Sequence, residues 1–189
     1  RRSSDLVRAI SIANQAQSAL EKSLTVNESK VQSNLSDGLW VTGDSVILGI
    51  RSVLEKNQPI TLVNARIGRQ APELLDVVLQ DQPLVSQSPV IFNLGNNGLL
   101  SRADVEAIFE ALKNQPQIIV VNTAVPRPWR DSNNQLIQEV AGRYPQASLI
   151  DWNAISEGHP EYFAPDGVHL VPAGVNAYVG AILEKLRSR

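Results

Sequence analysis

Residues 39–56 read LWVTGDSVILGIRSVLEK. The first three residues are bulky and apolar, as in a strand that is buried on both faces. A short Gly-Asp-Ser turn follows, and from Val46 to Lys56 the apolar residues recur at the spacing of a helix. The stretch therefore predicts a buried strand that turns directly into a helix, which is the repeating unit of α/β folds.

The same unit recurs along the rest of the chain. Further short apolar runs that we interpret as strands lie at residues 60–63, 90–92, 118–121 and 148–150. The predicted starts of the helices between and after them lie near Pro72, Ser101, Asp131 or Ser132, and Pro172,. Apolar strands that alternate with helices are typical of a parallel sheet covered on both faces. The predicted fold is a three-layer α/β/α sandwich around a five-stranded parallel sheet, in a flavodoxin-like arrangement.

Composition excludes several classes of protein. The chain has 189 residues, and at roughly 100–200 residues per domain this is one domain with room for an appendage,. The absence of cysteine excludes a disulfide scaffold,. No apolar run approaches the roughly 18 residues of a membrane span. The net charge of −2 gives no electrostatic indication of a nucleic-acid partner,.

Residues 1–37 are predicted to be separate from the α/β part. Residues 1–24 have the pattern of one amphipathic helix, and the polar residues 25–37 are typical of a linker,. The chain begins with Arg1 rather than Met and carries no signal peptide,. We therefore expect a monomeric fragment of a longer protein, with the α/β domain at residues 38–189.

The loops after the strands are where a ligand is expected, because ligands of open α/β sheets bind outside the carboxyl ends of the strands. The first loop places Ser45 at a helix start, where its hydroxyl is either a helix cap or a nucleophile. Gly68 in the second loop offers a backbone N–H, or is a plain turn glycine. Asn97 in the third, within Gly95-Asn96-Asn97-Gly98, offers a side-chain amide or simply forms a turn,.

The last loop places Asp166 three residues before His169. A carboxylate at this spacing can hold one imidazole nitrogen and leave the other free to act as a base. Ligation of a metal by His159, Asp166 and His169 is an alternative, although no His-x-x-x-His spacing supports it. Together the loops supply the nucleophile, base, orienting acid and oxyanion donors that acyl transfer requires.

Four blocks in chain order carry a resemblance to a known family: Gly43-Asp44-Ser45, Gly68, Gly95-x-Asn97 and Asp166-x-x-His169. Over about residues 38–189 this pattern resembles the SGNH (GDSL-type) hydrolase superfamily, with Val46 where the name-giving motif has Leu. Residues 63–70, 121–129 and 166–170 are also similar to the extracytoplasmic catalytic domain of bacterial peptidoglycan O-acetyltransferases.

The resemblance implies specific roles for these residues. It implies a triad of Ser45, His169 and Asp166, and an oxyanion hole formed by the Ser45 and Gly68 N–H groups and the Asn97 side chain. It also implies a reaction without metal or cofactor, in which an acetyl group moves through an acetyl-serine to the primary hydroxyl of N-acetylmuramic acid. In the family a membrane acyltransferase domain of the same protein supplies the acetyl group, at the extracytoplasmic face of a bacterial membrane, and the peptidoglycan glycan strand is the acceptor.

Four further residues are candidates for binding the glycan. Arg66 and Arg69 beside the second loop, and Arg127 after the fourth strand, can meet an acidic group, or are solvated or paired with carboxylates. Trp129 can form a platform for a sugar ring, or packs against the neighbouring prolines,.

Other functions compete with acetyl transfer. A carbohydrate acetylesterase or small lipase would use the same residues, with water as the acceptor. A non-catalytic glycan-binding or sensor domain is an alternative of another class, which the complete serine, histidine and aspartate set disfavours. A nucleotide-binding domain has no support, because no G-x-G-x-x-G or Walker sequence is present,.

Overall fold

A computed structural model describes residues 15, 17, 18, 22 and 38–188. The chain divides into two units, Arg1–Ser36 and Asp37–Arg189. The four described residues of the first unit are helical. The remainder of the helix predicted over residues 1–24, and the linker predicted over 25–37, lie outside the described residues. The proposed boundary between a linker and a catalytic domain stays a prediction.

The second unit alternates strands and helices. Its strands are β1 (Leu39–Gly43), β2 (Ile60–Ala65), β3 (Val90–Asn93), β4 (Ile118–Val121) and β5 (Ala147–Ile150). Its helices are α1 (Ser45–Asn57), α2 (Ala71–Asp81), α3 (Arg102–Leu112), α4 (Arg130–Ala141), α5 (Trp152–Ser156) and α6 (Pro172–Arg187). Short 3₁₀ turns lie at Gln82–Leu84 and Pro160–Tyr162. None of these helices has the length and hydrophobicity that crossing a bilayer requires.

All five strands are parallel, in the order β2-β1-β3-β4-β5. The chain leaves β1 for the edge strand β2 and then crosses back to β3 on the other side of β1. This reversal is the topological switch point at which doubly wound sheets bind their ligands. The predicted fold class is confirmed, and the reversal makes the loops after β1 and β3 neighbours.

An apolar layer covers each face of the sheet. Successive strand residues point to opposite faces, so Trp40 and Phe92 pack with Phe109 of α3, while Val41 and Ile91 pack on the other face,. All five side chains are at most 1% exposed. Burial on both faces explains why the strands read as continuous apolar runs rather than as alternating patterns.

Two helix predictions differ from the structure. Helix α4 begins at Arg130, ahead of the predicted Asp131 or Ser132, because Trp129 stands at the cap position without a side-chain cap bond. Helix α5 was not predicted, because its five residues are too few to express a helical period,.

Candidate active site

In the turn after β1, the Ser45 hydroxyl does not cap the helix that follows. Gly43 has φ +147°, and a Cβ there would stand 1.9 Å from Asn93 Oδ1, so only glycine fits the turn,. The cap of α1 is Asp44, whose Oδ1 accepts the Val46 N–H at 2.9 Å. Ser45 is therefore the first residue of the helix rather than its cap, and its side chain is half-buried.

A hydrogen-bonded chain joins Ser45 to the last loop. Ser45 Oγ lies 3.0 Å from His169 Nε2, and His169 Nδ1 lies 2.5 Å from Asp166 Oδ2. With the imidazole proton on Nδ1, that nitrogen donates to Asp166, and the serine hydroxyl donates to Nε2. This is the geometry of a nucleophile, its base and the acid that orients the base.

The Asp166 carboxylate is held by its own loop. Its Oδ1 accepts the backbone N–H groups of Val168 and His169 at 2.9 and 3.0 Å. The hydrogen bond from the His169 ring, followed by these two backbone bonds, lowers the pKa of Asp166 to about 2,. The carboxylate therefore remains charged throughout the pH range in which a histidine base operates.

Two backbone groups are available as oxyanion donors. The Ser45 N–H lies in the first turn of α1 and has no acceptor four residues earlier within the helix,. Gly68 has φ +71°, and none of the hydrogen bonds between described residues uses its N–H. No atom lies within 4 Å of a Cβ placed at Gly68, so the backbone conformation, not space, requires glycine there,.

The Asn97 side chain connects the loops around Ser45. Its Nδ2 donates to Asp44 Oδ2 at 2.9 Å and to the Arg69 carbonyl at 3.3 Å. Asp44 precedes Ser45 and Arg69 follows Gly68, so the predicted oxyanion residues are neighbours through these bonds. A cleft of about 120 Å³ opens beside Asn97, with Leu99 on its rim.

Both arginines of the second loop have partners within the protein. Arg66 pairs with the carboxylate of Glu73 at the start of α2. The Arg69 guanidinium donates to the carbonyls of Gly43 and Asn64 at 3.2 and 2.6 Å, and so ties the ends of β1 and β2 together. Partial burial and then the charge of Arg66 lower the pKa of Arg69. Their predicted role in binding substrate stays a prediction.

The loop after β4 carries the two remaining candidates for binding the glycan, Arg127 and Trp129. The Arg127 side chain is exposed and bonds only the adjacent Pro126 carbonyl at 3.0 Å among the described residues. The half-buried Trp129 donates its indole N–H to the Gly95 carbonyl at 3.1 Å. Trp129 therefore touches the loop that carries Asn97, and its predicted use as a sugar platform stays a prediction.

His159 belongs to a different contact set from His169. Its Nδ1 lies 2.8 Å from Glu161 Oε1, and its ring stacks on Tyr162 at a centroid distance of 4.5 Å. Within residues 38–188 and the four described residues before them, no group of three His, Asp or Glu side chains is placed to hold a metal ion.

Two residues of the site escaped the sequence analysis. Asp44 was noted only as part of the first block, although its carboxylate is 4% exposed and accepts side-chain amides of the β3 loop. Asn133 on α4 is 1% exposed and hydrogen-bonds the backbone of the same loop. The sequence could have indicated this role, because Asn133, Ile137 and Val140 lie on one buried stripe of the helix,. A polar amide is unusual at a buried position unless it forms hydrogen bonds.

Comparison with known proteins adds relatives in sequence. No protein-family model matches the chain. A putative peptidoglycan O-acetyltransferase, YrhL of Bacillus subtilis, is 34% identical over 150 residues, which are 77% of this chain and 23% of that protein. The peptidoglycan O-acetyltransferase OatA of Listeria monocytogenes is 36% identical over 141 residues, 74% of this chain and 22% of that protein. The chain thus spans less than a quarter of these relatives.

Solved structures share the fold. The C-terminal catalytic domain of OatA from Streptococcus pneumoniae, with a methylsulfonyl adduct, aligns over 80% of this chain and 93% of that one, with a TM-score of 0.68 and 24% identity. A lipase/acylhydrolase from Enterococcus faecalis aligns over 79% and 95%, with a TM-score of 0.66 and 15% identity.

These structures share the fold, and together with the sequence relatives they confirm the resemblance of the chain to the SGNH (GDSL-type) hydrolase superfamily that its four blocks predicted. Its sequence relatives carry the names of bacterial peptidoglycan O-acetyltransferases, one of them as putative, so the resemblance found in the sequence is confirmed at this level too.

Proposed function

We propose that this domain is a serine-dependent O-acetyltransferase that acetylates the primary hydroxyl of N-acetylmuramic acid in peptidoglycan. The observation that carries the proposal is the continuous chain of contacts from Ser45 Oγ through His169 to Asp166. The names of the sequence relatives support the choice of acceptor.

The first half of the reaction forms an acetyl-serine. His169 Nε2 takes the Ser45 proton while Oγ attacks the acetyl carbonyl carbon. The carbonyl electron pair moves to oxygen, and the oxyanion lies among the Ser45 N–H, the Gly68 N–H and the Asn97 amide. When the pair returns, the bond to the donor's leaving oxygen breaks, and His169 gives that oxygen its proton. Asp166 stabilises the imidazolium throughout.

The second half transfers the acetyl group to the sugar. The muramic hydroxyl loses its proton to His169 and attacks the acetyl-serine, and Ser45 leaves with the proton that His169 returns. Water at about 55 M competes for the same intermediate, so the sugar must prevail through orientation, which supplies effective molarities of roughly 10⁵ M or more. The acceptor therefore requires contacts beyond the triad, for which Arg66, Arg69, Arg127 and Trp129 are the candidates.

The donor and the location follow from the same proposal. The chain spans less than a quarter of its curated relatives, which leaves room in a full-length protein for a membrane acyltransferase domain that supplies the acetyl group. The acceptor is the glycan strand at the extracytoplasmic face of the bacterial membrane. No metal or cofactor takes part in the proposed steps.

Intact-protein mass spectrometry during turnover of an acetyl ester tests the proposal, with and without a muroglycan acceptor. We expect a gain of about 42 Da on the wild-type protein, as a covalent acetyl intermediate requires. The acceptor should shorten the lifetime of this adduct and itself become acetylated. In Ser45→Ala the adduct should be absent and the fold intact; an adduct that persists in this variant contradicts the role of Ser45.

Hydrolysis is the second candidate function, and one observation favours it. The side chains of His169 and Asp166 are 53% and 47% exposed, so water has access to the base in the free enzyme. If no muroglycan acceptor ever competes with water for the acetyl-serine of the wild-type protein, the domain is an acetylesterase.

A further inference from the structure

The Asp44 carboxylate does more than cap a helix. A helix cap accepts one hydrogen bond from the first turn, and Asp44 Oδ1 accepts it from the Val46 N–H,. The same oxygen also accepts the Asn93 side-chain amide at 2.7 Å. The other oxygen, Oδ2, accepts the amides of both Asn96 and Asn97 at 2.9 Å. A serine or asparagine cap would satisfy Val46 but could not receive these three amides.

The Asp44 carboxylate is surrounded by N–H groups and forms no ion pair with another described residue. The residue is 4% exposed, and none of the ion pairs among the described residues includes it. Burying a carboxylate is expensive unless hydrogen bonds replace the lost water. Its four N–H donors, three from asparagines after or at the end of β3, supply that replacement.

An ionised carboxylate only accepts hydrogen bonds, and this fixes the orientation of Asn97. The NH₂ end of the Asn97 amide must face Asp44, because the opposite orientation would set its carbonyl oxygen against the carboxylate. One Nδ2 hydrogen then points to Asp44 Oδ2. The second hydrogen has only the long, weak contact of 3.3 Å to the Arg69 carbonyl,.

We propose that Asp44 is the positioning residue of the oxyanion hole: it holds the Asn97 amide by one N–H so that the other N–H is available to the oxyanion. On formation of the tetrahedral intermediate this second hydrogen leaves Arg69 O and donates to the new oxyanion. The inference rests on the proposed function, because it assigns Asp44 to the same acyl-transfer site.

Asp44→Asn is the direct test. An asparagine presents one oxygen and one NH₂ group. In one orientation the NH₂ group faces the N–H groups of Val46 and Asn93, and in the other it faces those of Asn96 and Asn97. In both orientations, donors therefore face donors. We expect kcat for a small chromogenic acetate to fall by at least about 10-fold, toward the roughly 10²–10³-fold loss of one oxyanion donor, with little change in KM. Asp44→Ser, which keeps a helix cap, should give the same result and covers the case that Asp44→Asn does not fold.

A double-mutant cycle separates positioning from general structural damage. Once Asn97→Ala has removed the oxyanion donor, the remaining contacts of Asp44 hold no side-chain donor in the oxyanion hole, so the double variant should be no slower than Asn97→Ala within about threefold. Multiplicative losses of kcat would overturn the proposal. Asp151→Asn is the matched control, because Asp151 also caps a helix after a strand, bonding Ala154 N and the Asn122 side chain, but lies outside the oxyanion hole. It should keep the wild-type kcat.

An NMR measurement decides the point without turnover. The side-chain amide of Asn97 is identified as the signal pair missing from Asn97→Ala. In the wild type its proton facing Asp44 should exchange slowly with solvent, and in Asp44→Asn or Asp44→Ser this protection should be lost. Unchanged protection would overturn the proposal. A wild-type protein that hydrolyses no ester would contradict the proposed function instead, while the NMR result would still decide whether Asp44 holds Asn97.

Discussion

The two carboxylate oxygens of Asp166 bind different groups, and a substitution that changes one of these oxygens can separate their roles. Oδ1 accepts two backbone N–H groups of its own loop, whereas Oδ2 receives only the His169 ring proton. In Asp166→Asn the retained oxygen can keep the loop in place while the new NH₂ group faces Nδ1. The imidazole must then carry its proton on Nε2, where it can no longer accept the proton of Ser45.

We therefore expect Asp166→Asn to lower the turnover of a small acetate ester by up to about 10⁴-fold, as loss of the correct tautomer does in serine enzymes of this type. The variant should keep the folded circular dichroism spectrum of the wild type, so that the loss of turnover does not result from unfolding. A variant that keeps more than about a tenth of wild-type turnover would mean that Asp166 does not orient His169.

The lowered pKa of Asp166, about 2, also fixes a pH dependence. A carboxyl group whose pKa is lower in the folded state stabilises it above the unfolded pKa, and this contribution is lost only as the pH falls through the folded value. For Asp166 this window lies between about pH 4 and pH 2. The stability advantage of the wild type over Asp166→Asn should therefore shrink as the pH falls from about 4 to about 2, which urea unfolding at a series of pH values measures.

At the scale of elements, α4 holds the loop that carries Asn97. The Asn133 side chain donates to the carbonyls of Gly95 and Gly98 at 3.1 and 2.9 Å and accepts the Leu100 N–H at 2.9 Å. All three bonds come from one buried amide, so the loop between β3 and α3 is pinned at both ends.

Asn133→Ala should damage both stability and catalysis. Leaving buried backbone groups without partners should lower the free energy of unfolding by about 1–3 kcal/mol, which urea titration measures. Because the loop that carries Asn97 is then no longer held in position, kcat should fall while KM for a small ester changes little. Asn134→Ala is the matched control, since Asn134 bonds the backbone of Thr123 instead. Equal losses of kcat in both variants would mean that α4 acts only through stability.

The sequence predicted the strands and the positions of the candidate site residues, but not the contacts that hold those residues in place. Strand positions follow from runs of apolar residues, and Ser45, Asn97 and His169 follow from motif blocks at strand ends. The asparagine partners of Asp44 lie 49 to 53 residues away, and the partners of the Asn133 side chain lie 33 to 38 residues away. Such contacts depend on which loops the strand order makes adjacent, and no local pattern encodes that order.

At the scale of the whole molecule, the proposed substrate-binding role of Trp129 can be tested separately from its contact with the Asn97 loop. Its ring is a candidate platform for the acceptor sugar, and its indole N–H bonds the Gly95 carbonyl. Trp129→Ala removes both, whereas Trp129→Phe keeps an aromatic face without the bond. We expect Trp129→Ala to lower transfer to a muroglycan acceptor much more than hydrolysis of a small acetate, and Trp129→Phe to keep the ratio of the two rates. Equal losses of both rates in Trp129→Ala would make the tryptophan purely structural.

The order in which the site is encoded has a consequence for protein synthesis. Ser45 and His169 are 124 positions apart, and the proposed nucleophile and oxyanion residues all precede the proposed base in the chain. A ribosome therefore finishes the serine, glycine and asparagine long before it adds the histidine. On the proposed assignment, a translation product that ends before His169 has the serine hydroxyl without its base, so we expect a chain interrupted before that residue not to react with acyl donors.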